Sequence, residues 1–600
     1  MTESAIPGNR AESAAAAPAR ARHALRDSPL ALIVLAATLG GAVGAGVAML
    51  HAAVAWAQRT AFHLPAGTHL GADAALADWR VVAVPTVGGL ALGLLLAGLK
   101  RWRPRDIVDP VEANALFGGR MSLLDSVRLT YLTLISNASG ASVGMEAAYT
   151  QAGSGMTSRA GQWLRVRRGD LRTLVGCGAA AAIAAAYSAP LAGAFYAFEL
   201  VLGGYTLATL APVGAAAGVS VAVATWLSGA GHAAVAAPAG VALYGWDYLA
   251  CAGVGFLSGW LAIAAMQAVT LAERAFRALP GPVWGRPALG GFGVGLLALA
   301  FPEVLGAGPG AAPPPLEIGA AALAALLVTK ILASALSLGA GFRGGLFSAS
   351  LFLGALFGGL LGLLAERYVP GLGLDAGALI LVGMGAVAAG VVGGPMTMVL
   401  LVLEATADLT AAAGVLTGVV VSTTVVRHAF GYSFTTWRFH LRGVPIRGAH
   451  DVGWMGELTA NRLMRRDHKT VPETTTLAGL RRLFPLGSVK AVFAVDTAGR
   501  YAGVVDMAAV HDPSYDPELE GMCVRDLALH RDAVLGERDD IRTVLARFRD
   551  SEAEILPVTA AGERAILGYI TEAFALRRYS RELERLRGEE TGDQGLYGRD

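Results

Sequence analysis

Charge is scarce in this chain. Asp, Glu, Lys and Arg make up 16% of 600 residues, against about 25% in an ordinary soluble domain. Together with 54% hydrophobic residues and a mean hydropathy of +0.52, that shortage excludes a single soluble globule and indicates a membrane protein. A basic excess is missing too. The net charge is +2 and the Lys and Arg residues are scattered, so no electrostatic footprint for nucleic acid exists. Cysteine is almost absent. Cys177, Cys251 and Cys523 lie far apart with no metal-ligand spacing; neither a disulfide framework nor a thiolate site is expected, and the three read as buried small hydrophobes. None of the eleven histidines forms an H-E-x-x-H pair, which removes an intramembrane metalloprotease and with it the strongest enzyme reading.

What is present falls into parts. Residues 1–28 are polar and Ala-rich, with Arg10, Arg20, Arg22 and Arg26 just ahead of the first apolar run. Residues 29–58 contain no Asp, Glu, Lys or Arg. A signal-peptide core spans only about 7–15 residues, so this run is expected to stay as a tilted spanning helix. The arginines before it place the N-terminus in the cytoplasm, and an even number of crossings would put the C-terminus there as well. Apolar segments continue, giving an all-α polytopic membrane domain over 29–442. A linker (443–457), an α/β domain of ordinary charged composition (458–583) and a charged tail (584–600) follow.

The apolar segments are interrupted by Gly, Ser and Pro at 136–144, 153–155, 339–345 and 390–395. Irregular backbone at membrane depth survives only where it is buried or lines a wet cavity, so these places predict broken, re-entrant helices. The interruptions recur. Gly176-Cys177-Gly178-Ala179 leads to Pro190 and Glu199, and Gly383-Met384-Gly385-Ala386 leads to Pro395 and Glu404. The prolines and the glutamates are each 205 residues apart, and Gly144 and Gly345 are 201 apart. Two halves with broken segments at matching places are the repeat pattern of secondary transporters.

A charge at bilayer depth costs a few kcal/mol and asks for a reason. Glu199 and Glu404 match in the two repeats and read as helix-end carboxylates near an interface. Lys330 is expected to snorkel or to bond carbonyls of a broken helix. Arg343, in a glycine run, is placed to face a vestibule and attract anions. Glu146 differs. It stands where the small-residue stretch 136–144 gives way to a helix, and the first N–H groups of a helix lack partners and carry the positive end of its dipole. Such an end binds anions. A carboxylate tethered there is either a first-turn residue stabilising its own helix or an occupant of the anion site that leaves when protonated. A cation channel would show acidic rings in the pore instead.

These residues resemble the CLC family of chloride channels and chloride/proton antiporters. The family's G-(R/K)-E-G-P appears as Gly144-Met145-Glu146-Ala147-Ala148, and its G-x-F-x-P as Gly345-Leu346-Phe347-Ser348-Ala349. Ala189-Pro190-Leu191-Ala192-Gly193 through Glu199, and Pro395 through Glu404, match its best-marked helix pair. The resemblance implies two inverted repeats per subunit, a homodimer, a separate pore in each subunit, Glu146 as gate, and anion contacts from Gly144, Met145, Ala147, Gly345, Leu346, Phe347 and Ser348. Departures shape the expectation. Ile107, in Asp106-Ile107-Val108-Asp109-Pro110, stands where the family's serine meets the central anion. Thr435 replaces the pore tyrosine, and Ala349 the proline. Backbone amides then carry most of the binding of chloride or another small anion; relatives with altered central residues favour fluoride or nitrate. Leu200 stands where many antiporters carry an inner proton-transfer glutamate. This leans towards passive conduction, with a proton antiporter as the alternative.

Beyond residue 458 two similar stretches (about 458–513 and 522–583) each suggest strand, amphipathic helix, two strands and a closing helix. They resemble a pair of CBS domains. Nucleotide binding in such pairs often uses an Asp three residues after the motifs ending at Asp506 and Thr571. Ala509 and Phe574 stand there, so a scaffold without cofactor is expected, with adenine nucleotide as the alternative.

Overall fold

Runs of alanine, leucine and valine broken by glycine and proline give helices of very unequal length. The structure, a computed structural model, describes residues 28–65, 68, 70–71, 78–102, 107–229, 243–307, 319–442, 458–518, 521–560 and 564–591. The arginines at 10, 20, 22 and 26, Asp106, the linker 443–457 and the end of the charged tail lie outside the described residues. The chain forms two units, 1–451 and 452–600.

The first half of the membrane unit contains α1 (Pro29–Phe62), α2 (Arg80–Trp102), α3 (Pro110–Leu116), α4 (Leu123–Ala138), α5 (Glu146–Leu164), α6 (Arg168–Tyr187), α7 (Pro190–Tyr196) and α8 (Leu207–Ser228). The second contains α9 (Asp247–Ala278), α10 (Arg286–Ala300), α11 (Gly319–Ala340), α12 (Phe347–Tyr368), α13 (Ala376–Val392), α14 (Pro395–Thr406), α15 (Leu409–Ala429) and α16 (Phe434–Leu441). Among the described residues eight helices are long and apolar enough to cross a membrane, while the α7 segment, α13 and α14 are apolar but short. The short apolar α7 and α14 stand in matching places, each following the glycine-bearing helix of its half, α6 and α13, and are the broken elements the repeat pattern predicts.

Glycine sets the spacing between these helices. Gly40 and Gly44 on α1 lie directly against the backbone of Ala216 and Ser220 on α8, and Gly354 and Gly358 on α12 against Gly383 and Leu379 on α13; a methyl group at any of them would collide with main chain. Close backbone approach at small residues replaces the missing hydrophobic drive between helices in lipid. The same packing corrects one expectation. Residues 153–155 do not break a helix but lie inside α5. Gly153 meets the carbonyl of Gly178 on α6 and Gly155 meets Ser126 on α4, so those glycines serve a tight three-helix crossing.

The second unit has two three-stranded sheets of the same design. The first module runs from α17 (Ala460–Leu463) through β1 (Thr470–Pro472), α18 (Leu477–Leu483), β2 (Ala491–Val495) and β3 (Tyr501–Asp506) to α19 (Met507–Val510). The second runs from α20 (Val524–Leu527) through β4 (Leu535–Gly536), α21 (Ile541–Ser551), β5 (Ile555–Thr559) and β6 (Ile566–Thr571) to α22 (Glu572–Thr591). Both sheets are ordered parallel then antiparallel, β1-β2-β3 and β4-β5-β6, and each module follows the strand, helix, two strands and closing helix that the sequence suggests. The modules interlock. Ala460 and Leu463, ahead of the first sheet, pack in the core of the second with Ile541 and Phe548, while Val524 and Ala528, ahead of the second sheet, pack in the core of the first.

Candidate functional site

The site forms where two loops meet, one from each half. After α4 the chain turns at Ser139–Ala141, and after α11 at Gly341–Gly345. Neighbouring polar groups tie these turns across the halves. The Arg343 N–H donates to Ser136 Oγ (3.0 Å), the Ser142 N–H to Ser337 Oγ (2.9 Å), and the hydroxyls of Ser142 and Ser334 are 3.1 Å apart. These bonds satisfy irregular backbone that no water at membrane depth would reach. At the closest point Gly144 and Gly345 pair as a two-residue antiparallel bridge. Helix α5 starts two residues after the one glycine, at Glu146, and α12 two residues after the other, at Phe347.

Glu146 is 4% exposed. Its side chain lies back over Gly144, where a Cβ would collide with Oε2, and reaches the start of the opposite helix. There Oε1 accepts from the Ser348 N–H (3.2 Å), from the Tyr187 hydroxyl (2.5 Å) and from the Ser348 hydroxyl. Oε2 is buried and, among the described residues, has no hydrogen-bond partner. The carboxylate therefore reaches the N-terminus of the other repeat's helix, where backbone and side-chain donors receive its negative charge.

A cavity of about 390 Å³ adjoins it, lined by Glu146, Ala147, Ile107, Gly345, Leu346, Phe347 and Thr435 among others. Of the residues expected at the anion path, Gly144, Met145 and Ser348 do not line this cavity: Gly144 is held in the bridge, Met145 is buried in the core beside α1 and α6, and Ser348 holds the carboxylate. Lys100, Arg128, Arg343, Arg438 and Arg442 line the cavity against the carboxylates of Asp109 and Glu146, so its walls favour anions. Among the described residues no group of three His, Cys, Asp or Glu side chains is placed to hold a metal ion.

Glu199 and Glu404 are helix-end carboxylates, but the end each serves belongs to the other half. Glu199, in the π-helical turn Ala197–Leu202 that continues α7, accepts from the N–H groups of Met396 (2.8 Å) and Thr397 (2.9 Å) and from the Thr397 hydroxyl (2.6 Å) at the start of α14. Glu404 on α14 accepts from the N–H groups of Leu191 (2.8 Å) and Ala192 (2.9 Å) at the start of α7. Pro190 and Pro395 open these helices, so the next two N–H groups of each are the ones a carboxylate can take. Lys330 is fully buried and does not snorkel. Its ammonium donates to the carbonyls of Val304 and Gly306, both at 3.0 Å. Asp408 caps its own helix through the Thr410 N–H (2.8 Å).

Sequence reasoning did not single out Tyr187. An aromatic at the end of the alanine run 179–186 reads as core, and only its position as the last residue of α6, before Ser188 in the left-handed conformation (φ 52°), hints at a hydroxyl turned to another use.

Paired inverted halves, short broken helices and two helix starts joined at a buried carboxylate define a broken-helix ion transport protein. Residues 88–427 match the family model described as voltage gated chloride channel, more than half of the chain, and the protein belongs to this CLC family of anion transporters. A ClcB-like chloride channel protein of Ralstonia nicotianae is 36% identical over 341 residues, which span 55% of this chain and 79% of that relative. The crystal structure of a slow cyanobacterial Cl−/H+ antiporter shares the fold with a TM-score of 0.58 at 19% identity, covering 68% of this chain and 97% of that one. A eukaryotic CLC transporter does so with a TM-score of 0.55 at 17% identity, covering 90% and 97%.

Proposed function

We propose that the protein conducts chloride passively, and that the Glu146 carboxylate closes the path by occupying the anion's own position. The observation that carries this reading is the seating of Oε1 on the donors at the start of α12, where a free anion would otherwise bind. Protonation, or displacement by an incoming ion, removes the negative charge from that seat and opens it. Passive flow is supported by Leu200, which cannot relay a proton, and by Glu199 beside it, whose two oxygens are both committed to capping α14.

The family and the arginine cluster ahead of α1 support a multi-pass protein of the inner or plasma membrane, homodimeric, with a pore in each subunit and both termini in the cytoplasm. The CBS-type pair acts as a scaffold without bound nucleotide, since Ala509 and Phe574 offer no carboxylate to a ribose.

A second reading, coupled chloride/proton exchange, is favoured by one feature. Asp109 lines the same cavity as Glu146 and can take the role that Leu200 cannot. Proteoliposomes under a chloride gradient separate the two. Passive conduction gives chloride efflux with no uphill proton movement. Uphill proton uptake overturns it, and its loss in Asp109→Asn would then assign the inner acid.

A further inference from the structure

The donors around Glu146 converge in a way that its role as gate does not require. Tyr187 closes α6, and its ring packs against Phe347 with centroids 5.1 Å apart. Its hydroxyl donates to Glu146 Oε1 at 2.5 Å and is 2.9 Å from the Ser348 hydroxyl. The Ser348 hydroxyl and N–H reach the same oxygen. Three donors from two repeats thus meet at one atom, while Oε2, equally buried, receives none. Of the positions where the family resemblance looks for central hydroxyls, Ile107 has none and Thr435 has one on a much shorter side chain than tyrosine; the two hydroxyls gathered here are additional to these and come from other parts of the chain.

We propose that Tyr187 and Ser348 form a three-donor seat for a monatomic anion, filled by Glu146 Oε1 when the path is closed, and that Tyr187 sets the preference for halide over polyatomic anions. This rests on the reading of Glu146 as an occupant of the anion path. A halide accepting from two hydroxyls and one amide replaces a single carboxylate oxygen and needs nothing more. Nitrate brings a second oxygen into the space of Oε2, where among the described residues no hydrogen bond is made, and unlike Glu146 it is not held there by a tether to the chain. A buried acceptor without a partner is disfavoured, because it gives up its hydrogen bonds to water and gains none in return. Charge-assisted hydrogen bonds are about twice as strong as neutral ones, so each hydroxyl counts for much of the binding.

The test is chloride and nitrate titration calorimetry on the detergent-solubilised full chain, in a Glu146→Ala background that empties the seat. Adding Tyr187→Phe keeps the ring on Phe347 and removes one donor. Chloride binding is expected to weaken about tenfold or more, with nitrate affected less, so that the chloride-over-nitrate ratio narrows. Ser348→Ala is expected to act in the same direction, and it carries the test if the Tyr187 variant does not elute as a folded protein. Equal chloride affinity with and without the Tyr187 hydroxyl overturns this proposal alone. No chloride binding in Glu146→Ala itself overturns the gate reading together with it.

Discussion

Gly144 and Gly345 exchange both of their backbone hydrogen bonds, the Gly144 N–H to the Gly345 carbonyl at 2.9 Å and the reverse at 3.1 Å. This antiparallel bridge fixes the starts of α5 and α12 at one place, so that a side chain from the first helix reaches the backbone N–H groups that open the second. The seat of the Glu146 carboxylate is thus shared between the halves.

Replacing Gly144 by alanine is expected to open the path without changing any charge. The new Cβ would collide with Glu146 Oε2, the free end of a flexible side chain, so the carboxylate gives way rather than the backbone. Chloride efflux from proteoliposomes should rise towards that of Glu146→Ala. Flux equal to that of the unaltered protein would show that the side chain does not rest over Gly144 while the path is closed.

Glu146→Gln should raise chloride efflux at neutral pH and flatten its pH dependence. In the unaltered protein, efflux should increase as the pH falls, because a protonated carboxyl no longer competes as an anion. A pH profile unchanged by the substitution would remove Glu146 from gating.

The reciprocal caps are expected to matter for stability rather than for conduction. Glu199→Gln and Glu404→Gln each replace charge-assisted bonds to two backbone N–H groups, worth about 1.5–3 kcal/mol per bond when intact. Each should lower the melting temperature in detergent. Because α7 and α14 hold each other's caps, the double variant should lose less than the sum of the two. Strict additivity would show that the two ends are energetically separate.

Millimolar adenosine triphosphate should leave the melting of the CBS-type unit in the full chain unchanged. A nucleotide-dependent rise would overturn the scaffold reading, and Phe574→Asp would then be expected to strengthen it.

The repeat, the broken helices and the place of Glu146 at a helix start were legible because each leaves a local mark: a proline opening a helix, a carboxylate at the end of a small-residue run, and constant offsets between them. The partners across the halves were not. Nothing in the sequence around Glu199 says that its oxygens bind Met396 and Thr397, because that contact depends on how the second half inverts over the first. Tyr187 is 41 residues from Glu146, and its ring packs as a core aromatic would; only the hydroxyl betrays it. Residues 153–155 misled for a related reason. Glycine marks both a break and a close crossing, and only the carbonyl of Gly178 lying against Gly153 distinguishes them.

The exchange of caps between Glu199 and Glu404 means that neither half of the membrane unit is a finished object. A polypeptide stopping midway would leave the start of α7 bare, its Leu191 and Ala192 amide protons lacking the carboxylate that receives them. Synthesis of the second half thus completes the first, and a cell should treat a prematurely terminated chain as damaged long before any ion could pass through it.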